Sequence, residues 1–204
     1  MGINNSFTEG YACIERAYAR SGLKHLQKAV QIFSNNIKED EKPANSWRAY
    51  MARAQALNEL GKFNEASADL EKIVKITECR SFIVKDIIVF KNIRGSTLLG
   101  QGRYEDSMND FLKAIEYDEY SITAYAHLGT VQRKLDDKKA AGEHYLRALR
   151  IFRGKPNTRT SHDYAAAIRA EKGLELIGQK TNEAFTRMAL KNGIACKQWV
   201  DSLI

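Results

Sequence analysis

The chain has 204 residues, 44% hydrophobic and 28% charged, with a net charge of +7. This balance is expected of one globular or extended unit, and no apolar run reaches the ~20 residues that a membrane-crossing helix needs. The longest such run, Phe82 to Phe90, is interrupted by Lys85 and Asp86, and the first residues lack the basic-then-apolar layout of a secretory signal. Cys13, Cys79 and Cys196 are too dispersed for a disulfide framework or a zinc site, so no metal is expected and a reducing, cytoplasmic setting is.

Residues 1–8 read as a polar, loose start. Met1-Gly2 with Ser6 fits the M-G-x-x-x-[ST] signal for myristoylation of Gly2, which makes a peripheral membrane location one alternative. A single such chain would bind a bilayer only weakly and reversibly. Residues 9–40 are expected to form a degenerate helix pair, Glu9–Arg20 and Leu23–Ile37, parted by Ser21-Gly22. Their inward stripes are Tyr11, Ile14, Tyr18 and Leu26, Ala29, Val30, Phe33.

Three helix pairs then occupy 45–154, as 45–78, 82–120 and 121–154. The first is Asn45–Leu60, capped by Asn45 or Ser46, and Phe63–Thr77. The second is a lengthened helix from Phe82 to Leu99 with Arg103–Tyr117, and the third is Ser121–Leu135 with Lys138–Phe152, turning on Asp136-Asp137. Residues 161–204 are expected to hold a weak pair, Tyr164–Ile177 (capped by Ser161 or Asp163) and Thr181–Lys191. A short capping helix, Ile194–Leu203, follows. The fold class is therefore all-α, with about eleven helices. Ile83, Val84, Ile87, Ile88, Val89 and Phe90 would also suit a strand, but no second strand exists to pair with one.

A pattern recurs within this frame. Gly95 pairs with Gly129 (129 − 95 = 34), Phe111 with Tyr145 (145 − 111 = 34) and Ala114 with Ala148 (148 − 114 = 34). A fixed period of this length signals stacked helix pairs. These residues resemble the tetratricopeptide repeat (TPR), as do Tyr50, Ala54, Leu57, Gly61, Phe63, Ala66, Leu70 and Ile73 one pair earlier. The resemblance implies an α-solenoid of antiparallel helix pairs in which Gly and Ala permit close helix approach and Phe111 and Tyr145 fill the gaps. Ala66 and Ser107 are 41 apart (107 − 66 = 41), an excess of seven, which predicts about two extra turns in the helix from Phe82.

No constellation of catalytic groups converges. His25, His127, His144 and His162 are scattered, G-x-S-x-G is absent, and Gly100-Gln101-Gly102 is a turn rather than a phosphate loop. The chain is read as a non-enzymatic adaptor or scaffold without a cofactor. In TPR proteins the first helices line a concave groove. Here that implies Arg48, Met51, Gln55 and Asn58, then Asn92, Ser96 and Leu99, then Thr123, Ala126, Thr130 and Arg133. This mixed surface suits a peptide or partner protein. The family's carboxylate clamp is missing, because Met51, Thr123 and His127 stand where its key Lys and Arg would, which argues against chaperone C-terminal tails. A basic cluster, Arg147, Arg150, Arg153, Lys155 and Arg159, raises an RNA-associated alternative. Nucleic acid is disfavoured because no interleaved aromatic platform accompanies it.

Overall fold

The computed structural model describes residues 8–14, 16, 23–39, 46–77, 83–154, 160–181 and 184–191. Every element among these residues is helical. The first is α1, helical at 8–14. It is followed by α2 (Leu23–Glu39), α3 (Trp47–Glu59), α4 (Phe63–Thr77), α5 (Val84–Gly100) and α6 (Tyr104–Tyr117). Then come α7 (Ile122–Lys134), α8 (Lys138–Gly154), α9 (Ser161–Leu176) and α10 (Ala184–Lys191). Gly2, the capping helix expected at 194–203, both prolines, Cys79, Cys196, Lys155 and Arg159 lie outside the described residues. Among the described residues, no helix is long and apolar enough to cross a membrane.

Consecutive helices pack as antiparallel pairs, α3 on α4, α5 on α6 and α7 on α8. The first helix of each pair also stacks on the first helix of the next, α3 on α5, α5 on α7 and α7 on α9. The result is a two-layer solenoid whose inner layer is α3, α5, α7 and α9.

One turn geometry recurs inside the pairs. Gly61, Gly102 and Gly178 have φ of 71°, 76° and 83°, and Asp136 stands at the same place with φ 62°. At each, the residue after the left-handed position donates its N–H back to the preceding helix. Lys62 reaches the Leu57 carbonyl, Arg103 that of Leu98, Asp137 that of Gln132 and Gln179 that of Leu174, all at 2.9 Å. These are Schellman closures, which satisfy the orphan carbonyls of a helix end. Glycine takes that φ without a Cβ penalty, and Asp is among the few side chains that tolerate it.

Packing explains the repeated small and aromatic residues. A Cβ added at Gly95 would lie 2.9 Å from the Phe111 ring, and one at Gly129 would lie 2.5 Å from the Tyr145 ring. Phe111, Tyr145, Ala114 and Ala148 are all fully buried. Gly173 presses on Tyr145 from the next repeat, where a Cβ would come within 2.1 Å of the ring. Tyr145 is thus held between two glycines, only one of which the 34-residue pattern marked.

Three expectations need correction. The helix α5 has 17 residues against 13 for α3 and α7. The excess of four (17 − 13 = 4) is about one turn, not two. Ile83, just before it, is extended (φ −73°, ψ 153°), so the helix cannot run from Phe82. The cap of α9 is Thr160, whose hydroxyl accepts from the Asp163 N–H while the Asp163 carboxylate accepts from the Thr160 N–H. This capping box starts α9 at Ser161, three residues before Tyr164. Ser46 precedes α3 in a helical conformation and makes no side-chain cap bond.

The two ends of the solenoid meet. One apolar cluster contains Cys13 and Ile14 of α1, Leu26, Ala29 and Phe33 of α2, and Ala52 and Ala56 of α3. The same cluster includes Ala165 and Ile168 of α9 and Ala189 of α10. A direct bond crosses the same gap, the Gln55 amide donating to His162 Nε2 at 2.5 Å. Accordingly, α9 is buried around most of its girth, at Ala165, Ala166, Ala167, Ile168, Ala170 and Glu171. Glu171 ties α10 to it, accepting from the Phe185 and Thr186 N–H groups (3.1 and 2.8 Å) and the Thr186 hydroxyl (2.7 Å). A carboxylate at the first turn of a helix offsets its unpaired N–H groups and positive dipole end.

Candidate partner-binding groove

The inner layer carries a trough of about 620 Å³. It brings together Asn58, Ser96, Leu99, Thr130 and Arg133 of the groove residues expected from sequence, and adds His127, Lys134 and Arg169. Its wall is completed by Glu59, Phe63, Tyr104 and the turn Gly100–Gly102. Gly100 makes room there, because a Cβ would collide with the Phe63 ring at 2.2 Å.

The other expected residues are placed differently. Gln55 is held by His162. Met51 is buried with Trp47, Ala54 and Leu57, and Ala126 is buried with Ile122, Tyr145 and Phe152. Arg48 is exposed, with its guanidinium 4.9 Å from the Trp47 ring centre. Thr123 is half-buried, as is Asn92, whose Oδ1 is enclosed without a partner. Asn58 is committed to holding repeats together, donating to the Ile93 carbonyl (3.1 Å) and accepting from the Thr97 hydroxyl (3.0 Å).

His127 sits at the base of the trough, 7% exposed, stacked on Phe111 with ring centres 5.0 Å apart. Arg169 Nη1 lies 3.3 Å from its Nε2. A guanidinium only donates, so Nε2 accepts and the imidazole proton resides on Nδ1. That Nδ1 is enclosed and lacks a partner. Burial, and then the neighbouring Arg169 charge, hold the His127 pKa well below the usual 6.5, so the ring is neutral.

The sign of the pH dependence follows. Above about pH 6.5 both folded and unfolded chains hold His127 neutral. As pH falls below that value, only the unfolded chain takes up the proton, and stability is progressively lost. Melting temperature should fall on mild acidification, and His127→Asn should flatten that slope. An unchanged slope would place the proton uptake elsewhere, His144 being the other histidine lowered by burial.

Two charged forks were not anticipated. Arg53 Nε and Nη2 donate to Asp69 at 2.7 and 2.5 Å, and Arg94 Nε and Nη2 donate to Asp110 at 2.5 and 2.6 Å. They occupy the same repeat position (94 − 53 = 41 and 110 − 69 = 41). Lys91 adds a third bond to Asp110 at 2.9 Å. In the next repeat the same positions hold Leu128 and His144. The Arg–Asp separation of 16, recurring 41 residues on, was the available signal. Of the basic cluster, Arg150 and Arg153 are exposed on α8. Arg153 and Arg147 rest over the Phe185 and Tyr125 rings at 5.5 and 5.8 Å. Among the described residues, no group of three His, Cys, Asp or Glu side chains is arranged to hold a metal.

The repeated hairpins, Schellman turns and glycine–aromatic contacts define a helical-repeat solenoid. The tetratricopeptide repeat family model matches residues 48–78, 90–120 and 122–154, and the chain belongs to that family. TTC0263, a thermophilic TPR protein of Thermus thermophilus, superposes with a TM-score of 0.62 at 15% identity, over 99% of this chain and 97% of that one. MamA from residue 41 onward, of Desulfovibrio magneticus RS-1, gives 0.54 at 21% identity, over 76% and 78%. The apo form of RapI gives 0.56 at 15% identity, over 99% and 71%. At these identities the likeness is one of fold. No curated protein matches the sequence.

Proposed function

We propose that the chain is a non-catalytic adaptor that holds an extended segment of another protein in the trough lined by α3, α5, α7 and α9. The trough itself carries this reading. It spans the four helices of the inner layer, with Phe63 of α4 and Tyr104 of α6 at its wall, and it is bordered by polar side chains whose groups are not all used within the fold, Arg133 Nε among them. Side chains that serve only packing are satisfied internally, and unsatisfied enclosed donors are uncommon in folded proteins. The end-to-end closure at Gln55 and His162 confines docking to the section from Asn58 to Arg169.

A photo-crosslinking amino acid at Ser96, inside the trough, is expected to capture partner protein in cells. The same group at Leu146, exposed on α8, is expected to capture little. Capture from Leu146 with none from Ser96 would move the interface to the outer face.

A further inference from the structure

We propose that the trough receives acidic side chains, an aspartate or glutamate of the docked segment meeting Arg169 and Arg133 with Lys134 at the rim. The proposal rests on the groove reading and assigns its ligand chemistry. The solenoid elsewhere neutralises its inter-helix cations. Arg53, Lys91 and Arg94 are all bonded to carboxylates, and in the separate cleft of about 310 Å³ beside Arg94, Arg103 is paired with Asp106 at 2.5 Å. Arg133, Lys134 and Arg169 have no such partner among the described residues. The lining holds one carboxylate, Glu59, against Arg133, Lys134 and Arg169, so it is net positive.

Two enclosed donors point the same way. His127 is more than nine-tenths buried, lines the trough and presents an Nδ1–H without an acceptor, and Arg133 Nε is likewise enclosed and unmatched. Both atoms are closed to water, so they show that the fold leaves donors spare around the trough, while a docked carboxylate meets the guanidinium groups of Arg133 and Arg169 themselves. Arg133 and Lys134 fall in the last turn of α7, where cations also offset a helix's negative end. That account does not extend to Arg169, which lies mid-helix in α9 and donates to a neutral imidazole. The trough crosses several helices, so the chain it fits passes through it, and the acid is a side chain rather than a chain end. The aromatics of the lining, Phe63 and Tyr104, are half-buried against Gly100 and the Phe111 cluster.

The test uses the full chain and a fluorescein-labelled alternating Glu-Ser peptide, acetylated and amidated, read by anisotropy at low salt. The Glu probe should bind at least about tenfold more tightly than its Gln-Ser counterpart. Binding should fall at least about tenfold in Arg133→Gln/Arg169→Gln and change less than about twofold in Arg150→Gln/Arg153→Gln. Circular dichroism verifies folding. Should the double variant lose helicity, Lys134→Gln, which changes an exposed and unpaired cation, should still weaken binding about threefold. Equal binding of the Glu and Gln probes, or no saturable binding of either, overturns the proposal. So does a uridine oligonucleotide that binds more tightly than the Glu probe and is lost in the same variant. If the acidic probe fails while Ser96 still crosslinks a protein partner, the groove reading stands and only the acidic assignment falls.

Discussion

Asp110→Ala should destabilise the fold by about 3 kcal/mol, measured as the shift in urea-unfolding free energy. Asp110 is 1% exposed and accepts from both Lys91 and Arg94. Removing it leaves two partly exposed cations facing one another without their shared carboxylate, and breaking a pair this way costs more than the pair itself contributes. The estimate sits at the low end because the Arg94 side chain is 35% exposed and can turn toward water. The next repeat supplies the control, with Leu128 and His144 at the corresponding positions and no ion pair between them. A Lys91→Met/Arg94→Leu/Asp110→Leu chain, apolar throughout, should therefore be more stable than Asp110→Ala. If the triple change is as damaging as the single one, packing rather than stranded charge sets the cost.

Tyr145→Ala should cost about 3–5 kcal/mol, in the range for deleting a large core aromatic. The ring is fully buried between Gly129 and Gly173 and reaches Thr130 Oγ1 with its hydroxyl at 3.3 Å. Tyr145→Phe keeps the ring and loses only that long bond, so it should cost about 1 kcal/mol or less. Gly173→Ala probes the same contact from the opposite wall. Alanine is the better helix former by about 1 kcal/mol, yet its Cβ would lie 2.1 Å from a ring that cannot retreat. Overpacking of about 1–3 kcal/mol should outweigh the propensity gain. A stabilised Gly173→Ala protein would show that the α8–α9 interface relaxes more than this contact allows.

These two sites differ in how far they could be seen beforehand. Gly129, Tyr145 and Ala148 recur at a fixed interval because every repeat faces the same neighbour in the same geometry, and a local rule applied repeatedly leaves a period in the chain. The all-helical class and the turn at Asp136 were legible for that reason. The seven-residue excess before α5 was legible as an interruption, but that α5 takes up only about one turn of it was not. Side-chain spacing constrains the phase of a helix, not where its first hydrogen bond forms. The Arg53–Asp69 and Arg94–Asp110 forks escaped notice because a charged pair within a repeat reads as solvated surface until burial of the acid is known.

Five of the fourteen residues that line the trough follow from repeat position. Asn58, Ser96, Leu99, Thr130 and Arg133 were placed together by repeat position alone. Arg169 and the closure of Gln55 on His162 were not, since those partners come from the weakly patterned last repeat, 107 residues beyond α3 in the latter case. The small rotation from each helix pair to the next accumulates along a solenoid, and no single repeat encodes the sum. The chain's own residues specify the hairpins, their turns and their nearest-neighbour packing. Whether the first and last repeats meet, and hence which stretch of the inner face stays open and positively charged, is decided only by the assembled curvature.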